Sequence, residues 1–240
     1  MKAALFSRYM DITEDCTRGR NVVVIDVYRT TTVIITALAN GASDIIPAES
    51  IDEAWEISRT LNADKVLLAG EREAIPIKGF QLDNSPFSYT EDTVRNKTIV
   101  MTTSNGTRAI KVSSHCNSLY IASFLNIAAV VSKLVKRNVD VSIVCAGTMG
   151  NFSLEDGLCA GMIISRMSRQ CEIETSDLGW AMTELVERST DIRALLERGS
   201  FAYRYLKKTN YQKDIDYCLT VDSLELVPAL DADGRIRSHQ

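Results

Sequence analysis

The chain has 240 residues, of which 45% are hydrophobic, 24% charged and 7% aromatic, a composition typical of a globular protein rather than a disordered or fibrous one. Its 27 Lys and Arg against 31 Asp and Glu give a formal net charge of −4. This acidic balance excludes a dedicated nucleic-acid-binding protein, which needs a basic field. No apolar run approaches the ~20 residues that cross a bilayer. The first residues lack a secretory pattern, so we expect a cytoplasmic protein without a membrane partner.

The cysteines and histidines offer little for metal or histidine chemistry. The six cysteines contain no C-x-x-C pair and have irregular spacing, which argues against a zinc site or a disulfide framework. Cys145, Cys159 and Cys218 lie in apolar runs, so we expect buried structural thiols. His115 lies among Ser and Asn, and His239 is the penultimate residue, so neither is expected to act as a general base.

The first half of the chain predicts alternating strands and helices. A β-branched apolar run opens it and is typical of a strand buried on both faces. The second helix begins with Ser50 and has Glu53 three residues on, which is a capping box. Residues 71–95 have no clean period and predict a long functional loop. The predicted strands are residues 22–25, 44–48 and 65–69, and the predicted helices are residues 31–38 and 51–61.

The same order of elements then begins again. The distance along the chain from Asp26 to Gly70 is 44 residues, and from Thr102 to Gly147 it is 45. These spacings indicate an internal duplication of a β-α-β-α-β unit, although any α/β chain shows some alternation of this kind. The second set comprises strands 98–101, 118–122 and 141–146 and helices 107–112 and 127–136, and the repeats would cover residues 20–75 and 97–150.

The last part of the chain is rich in predicted helices, each with Ser, Thr or Asp near its start. No low-complexity linker separates any segment, so we expect a single domain over residues 1–240. The predicted fold is a layered α/β/α structure with a mostly parallel sheet and a helix-rich C-terminal quarter. The predicted C-terminal helices are residues 153–169, 177–188, 190–197 and 200–208, and the predicted strands are residues 215–220 and 224–228.

Polar residues follow several predicted strands, and ligands of α/β sheets bind outside the carboxyl ends of strands. Asp26 and Glu71 are carboxylates directly after buried strands, a usual position for Mg²⁺ ligands. Arg29, Arg72 and Arg108 could make bidentate contacts to phosphate or sulfonate oxygens. Together they suit a small anionic substrate held with a hard metal ion. The other candidate substrate-binding residues are Thr31, Asn84, Ser85, Thr102, Thr103, Asn105, Gly106, Thr107, Gly147 and Thr148.

Structural roles compete with this interpretation. The turn at residues 102–106 runs into a helix and offers backbone N–H groups to an anion, yet its Asn-Gly pair is also a common turn dipeptide. Glu155 and Asp156 fall in the first turn of a predicted helix, where they either stabilise the helix dipole or belong to the site. A purely structural role suits Asp26 less, because an unpaired carboxylate after an apolar strand is costly to bury.

The sequence does not match the motifs of the standard phosphatases and NTPases. Residues 26–30 read Asp-Val-Tyr-Arg-Thr and lack the second carboxylate of a haloacid-dehalogenase-type phosphatase. Cys145 is followed after six residues by Asn151, where a cysteine phosphatase needs Arg. The P-loop signature and the G-x-S-x-G nucleophile elbow are absent from the sequence.

Six blocks, in order, nevertheless resemble the 2-phosphosulfolactate phosphatase family, the ComB-type enzymes of coenzyme M biosynthesis. The resemblance covers about residues 20–165, with a weaker match at residues 214–228. It rests on Asp-Val-x-Arg-x-Thr-Thr from Asp26, Leu-Ala-Gly-Glu-Arg at residues 68–72, Gly-Phe-x-Leu-x-Asn-Ser-Pro at 79–86, Thr-Thr-x-Asn-Gly-Thr-Arg-Ala at 102–109, Ser-Phe-Leu-Asn at 123–126, and Cys-Ala-Gly-Thr at 145–148 followed by Phe-Ser-Leu-Glu-Asp at 152–156.

The resemblance implies a Mg²⁺-dependent phosphatase, assembled as a homodimer, that hydrolyses 2-phospho-3-sulfolactate to 3-sulfolactate and inorganic phosphate. On this hypothesis Asp26 and Glu71 bind Mg²⁺, which orients an attacking water. The three arginines neutralise charge on the phosphate oxygens. Glu155 or Asp156 is the general base or a second metal contact, and an aspartyl-phosphate on Asp26 is an open variant.

Two other functions stay open at this point. One is a metal-dependent phosphatase of a different small phosphorylated acid, since nothing in the residues reads a sulfonate uniquely. The other is a non-catalytic anion-binding module. The presence of both Asp26 and Glu71 argues against that module, because anion binding alone does not favour nearby carboxylates.

Overall fold

The computed structural model describes residues 1–238, so His239 lies outside the described residues. Eleven strands form one sheet. They are β1 (Lys2–Phe6), β2 (Asn21–Ile25), β3 (Asp44–Pro47), β4 (Val66–Arg72), β5 (Ile75–Pro76), β6 (Thr98–Thr102), β7 (Ser118–Ala122), β8 (Val141–Cys145), β9 (Glu174–Thr175), β10 (Pro228–Leu230) and β11 (Ile236–Ser238).

Eleven α-helices are described within the same residues, four of them in the C-terminal part. Short 3-10 helices complete the loops at Tyr9–Asp11, Ala63–Lys65, Pro86–Ser88 and Phe124–Asn126. The α-helices are α1 (Glu14–Thr17), α2 (Thr30–Ala39), α3 (Ile51–Arg59), α4 (Glu91–Val94), α5 (Gly106–Val112), α6 (Ile127–Arg137), α7 (Leu154–Ser168), α8 (Asp177–Arg188), α9 (Ile192–Gly199), α10 (Phe201–Lys208) and α11 (Gln212–Cys218).

The sheet consists of two parallel halves joined by an antiparallel hairpin. Its strand order is β5-β4-β6-β3-β11-β10-β7-β2-β8-β1-β9. Pairing is parallel within β4-β6-β3 and within β7-β2-β8-β1-β9. The hairpin of β10 and β11 pairs antiparallel with β7 and β3 on its two sides. The predicted α/β class with a mostly parallel sheet is confirmed, and the two halves run in opposite directions.

The two β-α-β-α-β stretches exchange strands between these halves. The first strand of one, β2, lies between β7 and β8, the second and third strands of the other. The first strand of the other, β6, lies between β3 and β4 in the same way. In both halves, therefore, the first strand of one stretch lies between the second and third strands of the other. Their origin by duplication stays a prediction.

Strong curvature brings the carboxyl ends of β2 and β6 together. These strands lie five positions apart in the sheet, which in a flat sheet is about 24 Å at the usual strand spacing. Yet the hydroxyl of Thr30, just beyond β2, donates to the hydroxyl of Thr103, just beyond β6, at 3.2 Å. The sheet must therefore curve around the helices that follow these two strands, α2 and α5.

Helix α2 is the centre of the fold. Every residue from its first, Thr30, to Leu38 is buried, as expected for a helix that is apolar on all sides. Side chains from both halves of the sheet, such as Val24 of β2 and Met101 of β6, pack in one cluster with residues of α2 and α5. The outer face is covered by α6 and α7 on the β2 half and by α3 on the β6 half.

The predicted elements between residues 22 and 208 are confirmed, with ends that differ by no more than two residues in most cases. The third predicted strand does not end at Gly70 but continues to Arg72. The strand predicted at 215–220 is wrong, because α11 covers Gln212–Cys218 with Ile215 and Cys218 buried at helical spacing. The strand predicted at 224–228 is also wrong, since β10 begins only at Pro228. Strand β1 was not predicted.

The long loop at residues 71–95 contains a tight hairpin between β4 and β5. Its two turn residues, Glu73 and Ala74, have φ angles of 53° and 63°. A side chain in this left-handed region costs about 1 kcal/mol or more relative to Gly. We therefore expect Ala74→Gly to raise the free energy of unfolding by about 1 kcal/mol in urea titration. Ala181→Gly, inside α8, should lower it by a similar amount, and a loss at Ala74 would contradict the expected strain.

The described residues contain neither disulfide bonds nor membrane-spanning helices. All six cysteines, which lie within residues 1–238, are free thiols. Cys145, Cys159 and Cys218 are buried, as predicted. None of the helices in this part of the chain is long and apolar enough to cross a bilayer.

Candidate active site

A cavity of about 590 Å³ opens where the carboxyl ends of β2, β4, β6 and β8 meet. Some of the residues that the sequence predicts for the site line this cavity, and the others support its wall. Eight of them line the cavity: Asp26, Arg29, Glu71, Arg72, Asn84, Asn105, Arg108 and Thr148. The other lining residues are Tyr28, Thr30, Glu73, Ala74, Ser104, Met149, Phe201, Ala202, Tyr205 and Leu206.

Asp26 is a buried carboxylate held at the start of α2. The backbone N–H of Thr30 donates to its Oδ1 at 3.3 Å, and the hydroxyl of Thr31 donates to its backbone carbonyl at 2.8 Å. Burial raises the pKa of Asp26 from its ordinary value of 3.8 to about 6, with further repulsion from Glu71 and Glu155 and opposing hydrogen bonds from Thr30. Asp26 therefore changes its protonation near neutral pH, as a catalytic carboxylate needs to.

The Glu71 carboxylate connects the β4–β5 hairpin to the turn after β6 through hydrogen bonds. Its Oε1 accepts from the backbone N–H of Ser104 at 2.8 Å. Its Oε2 accepts from the N–H of Ala74 at 2.7 Å and from the hydroxyl of Ser104 at 3.2 Å. The predicted anion-binding turn is thus partly occupied by a carboxylate of the protein itself. Its N–H at Ser104 is not available to a substrate.

Arg72 and Arg108 are two neighbouring cations of the cavity wall. Arg72 donates to the Glu71 carbonyl at 2.7 Å and to the Thr102 hydroxyl at 2.9 Å. Burial lowers the pKa of Arg72, Glu71 opposes this effect, and the positive charge of Arg108 adds to it. Among residues 1–238 neither guanidinium has a carboxylate oxygen within ion-pair distance. Two adjacent unpaired guanidiniums are a strong site for an anion.

Arg29 has a different environment, because its charge is balanced within the protein. It is buried and forms an ion pair with Asp214 of α11, which is also buried. The guanidinium carbon lies 4.1 Å from the centre of the Tyr211 ring, a cation–π distance. The second oxygen of Asp214 accepts from the Ser85 hydroxyl at 2.9 Å. Arg29 lines the cavity as predicted, and Asp214, which pairs with it from outside the lining, was not among the predicted site residues.

Glu155 and Asp156 lie in the wall behind Asp26 and do not line the cavity. Glu155 accepts from the Ser200 hydroxyl at 2.7 Å. Asp156 accepts from the N–H groups of Val27 at 2.9 Å and Gly147 at 3.2 Å, which connects the ends of β2 and β8. Burial raises the pKa of both, and for Asp156 repulsion from Glu155 and Asp26 adds to it. They act on the site through the charge of Asp26.

Comparisons with known proteins show the family of the chain. The model of the 2-phosphosulpholactate phosphatase family matches residues 7–233. The chain belongs to the 2-phosphosulpholactate phosphatase family. A relative from Caldanaerobacter subterraneus is 40% identical over 98% of this chain and 97% of its own length, and one from Clostridium beijerinckii is 38% identical over 98% and 99%. Both are named probable 2-phosphosulfolactate phosphatase.

Membership in the 2-phosphosulpholactate phosphatase family makes the chain an enzyme, a phosphoric monoester hydrolase. A third relative, from Clostridium acetobutylicum, is 39% identical over 95% of this chain and 97% of its own length. The resemblance stated from the six sequence blocks is thereby confirmed. Five of the six blocks contribute residues to the cavity lining, and the block at residues 123–126 does not.

Seven predicted substrate contacts support the phosphatase cavity from behind rather than lining it. Gly106 is the clearest case, since a Cβ there would lie 2.5 Å from Oδ2 of Asp26 and 2.4 Å from Cβ of Thr30. Thr103 and Thr107 cap α5 through their hydroxyls, with N–H···O distances of 3.1 Å in both directions. The supporting residues are Thr31, Ser85, Thr102, Thr103, Gly106, Thr107 and Gly147.

Two further polar groups of the wall have unused hydrogen-bonding capacity. Oδ1 of Asn84 and the hydroxyl of Tyr28 are buried and have no hydrogen-bond partner among residues 1–238. Both residues line the cavity. Buried polar atoms are normally satisfied, so these two are candidates to contact the substrate. The sequence indicated Asn84 through the family block but gave no signal for Tyr28.

Proposed function

We propose that this protein is a Mg²⁺-dependent phosphatase that hydrolyses 2-phospho-3-sulfolactate to 3-sulfolactate and inorganic phosphate, a reaction of coenzyme M biosynthesis. One observation carries the proposal. The guanidiniums of Arg72 and Arg108, which have no ion-pair partner among residues 1–238, share a cavity with Asp26 and Glu71, two buried carboxylates. A cation-assisted phosphatase needs both kinds of group at the same phosphoryl centre.

The carboxylates fit a magnesium ion. Mg²⁺ usually binds one or two carboxylates and keeps several waters, which agrees with the two buried carboxylates, Asp26 and Glu71, among the three that line the cavity. Within residues 1–238 no cluster of three or more His, Cys, Asp or Glu could hold a metal by itself. Burial, and to a smaller extent repulsion from Glu71 and Glu155, raises the pKa of Asp26, and a bound cation would oppose both effects. Asp26 and Glu71 would hold the ion, and a bound Mg²⁺ supplies Lewis-acid polarisation of the phosphoryl oxygens.

The remaining roles follow from the position and charge of each residue. Arg72 and Arg108 bind the phosphate oxygens and balance the charge that develops on them. Arg29 and Asn84 orient the anionic end of the organic acid away from the reacting phosphorus. Asp26 would hold the ion as a carboxylate, because a bound cation lowers its pKa below the value of about 6 that burial gives it in the metal-free protein. The chain would act in the cytoplasm as a homodimer, as the family resemblance implies.

Phosphate release from a panel of phosphorylated acids tests the proposal. We expect 2-phospho-3-sulfolactate to exceed 2-phospholactate and 2-phosphoglycerate in kcat/KM, and EDTA to abolish release until Mg²⁺ is restored. Equal rates across the panel would contradict the substrate assignment and support a phosphatase of small phosphorylated acids in general. Full activity in EDTA would contradict the metal dependence.

Arg108 gives a prediction about the binding of the phosphate group, because it is exposed and no described carboxylate pairs with it. We expect Arg108→Gln to raise KM for the phosphate ester at least about tenfold, the loss of one charge-assisted hydrogen bond. The melting temperature should not change. Arg18→Gln, at an exposed arginine paired with Glu14, is the control and should leave KM unchanged. An unaltered KM in the Arg108 variant would remove it from the substrate site.

A further inference from the structure

The cavity has an apolar part that the proposed substrate does not explain. Helix α10 contributes Phe201, Ala202, Tyr205 and Leu206 to its lining. A three-carbon acid with carboxylate, sulfonate and phosphate groups offers almost no apolar surface to contact them. The volume of about 590 Å³ lies within the range for drug-sized ligands. The cavity therefore has room and surface beyond what that acid uses.

Two aromatic rings form most of this apolar surface, which we call the aromatic shelf (Phe201 and Tyr205). Their ring centres lie 6.2 Å apart and the ring planes meet at 17°. Phe201 is 55% exposed and Tyr205 39% exposed, although both line the cavity. Exposed, nearly parallel rings suit contact with a flat apolar group.

The shelf is fixed relative to the anion-binding residues. The Tyr205 hydroxyl donates to the carbonyl oxygen of Glu73 at 3.3 Å, in the hairpin turn next to Glu71 and Arg72. Behind the rings, Ala202 and Leu206 are buried. An apolar surface attached in this way to the residues of the anion site can contact a ligand whose anionic end is bound there.

We propose that the site also binds phosphate monoesters and phosphonates whose organic part is a planar apolar group, with the anion at Arg72 and Arg108 and the planar group on the aromatic shelf. This rests on the proposed phosphatase function. For an aryl ester, water forms the new P–O bond while the bond from phosphorus to the aryl oxygen breaks. The aryl oxygen leaves with the bonding electron pair, takes up one proton and becomes a phenol, and inorganic phosphate is the other product.

Calorimetric titration with phenylphosphonate and methylphosphonate tests the proposal, because phosphonates are not hydrolysed and both carry the same anion. In the presence of Mg²⁺ we expect phenylphosphonate to bind the full-length protein at least tenfold more tightly. Phe201→Ala should remove most of the preference for phenylphosphonate and leave the affinity for methylphosphonate unchanged. Phe201→Leu should retain part of that preference. Trp180→Ala, at a 61% exposed residue outside the cavity, is the control and should retain the full preference.

The remaining outcomes distinguish the aromatic-shelf proposal from the proposed phosphatase function. Equal affinity for both phosphonates, or an equal loss for both in Phe201→Ala, would overturn the aromatic shelf as a ligand-binding surface. If 2-phospho-3-sulfolactate is hydrolysed in that case, the proposed function stands. If it is not hydrolysed but phenylphosphonate binds with the expected dependence on Phe201, the substrate assignment fails and the shelf stands.

Discussion

Asp26→Asn is expected to lower turnover at least a hundredfold while making the folded protein more stable at pH 7. The loss of turnover follows because the variant removes the negative charge of a buried lining carboxylate that would hold the metal ion. The carboxamide has the same shape and can still accept from the Thr30 N–H. Folding should therefore be retained.

The gain in stability follows from the direction of the pKa change. Asp26 has a pKa of about 6 in the folded protein and an ordinary value of 3.8. The folded state therefore holds the proton more tightly than the unfolded state, and stability falls as pH rises from about 4 to 6. The difference corresponds to about 3 kcal/mol of unfolding free energy at pH 7. The Asp26→Asn variant avoids this loss of stability at pH 7, and below pH 4 the substitution has no such effect on stability.

Urea titrations in metal-free buffer at pH 7 and pH 4, together with phosphate release in Mg²⁺, measure both effects. Asp11→Asn is a matched control, since Arg8 lowers the pKa of Asp11 at the surface, and this variant should gain no stability. A stable Asp26 variant with near-normal turnover would remove Asp26 from the catalytic machinery. A variant that loses stability at pH 7 would contradict the desolvation of this carboxylate.

Local signals explain why so much of the fold could be predicted. The β-branched run of β2 and the capping box at Ser50, whose hydroxyl accepts from the Glu53 N–H at 3.0 Å, are set by neighbours in sequence. Strand positions are set in the same way, so Asp26, just after β2, and Glu71, near the end of β4, could be recognised as candidates, although β4 continues through Glu71 to Arg72. The reversal between the two halves of the sheet was not predictable, because it depends on pairing by β10 and β11, which follow far later in the chain.

The site was predicted by residue type but not by the role of each residue. A sequence shows that Thr103 and Gly106 lie in a polar turn, but only packing shows that a Cβ at position 106 would overlap Asp26. The contribution of α10 was missed because its residues reach the cavity from the C-terminal quarter, where few family motifs occur. Asp214 is the extreme case, since 185 positions separate it from Arg29.

Asp214→Asn is expected to lower the free energy of unfolding by about 3–5 kcal/mol, the usual effect of removing one partner from a buried ion pair. Both members of the Arg29–Asp214 pair are nearly inaccessible, with side-chain exposures of 3% and 5%. The variant leaves the Arg29 guanidinium buried against Tyr211 without a counter-ion. A loss of this size is a large part of the total stability of a domain, so urea titration at low temperature is the suitable measurement.

Asp216→Asn provides the matched control on the same helix. Asp216 pairs with Arg193 at 2.5 Å, but its side chain is 51% exposed, so its loss should cost no more than about 1 kcal/mol. The double variant Arg29→Gln/Asp214→Asn should lose less than the sum of the single variants, because neither charge is then left unpaired. Equal losses at Asp214 and Asp216, or additive losses in the double variant, would show that α11 is not anchored to the active site through this ion pair.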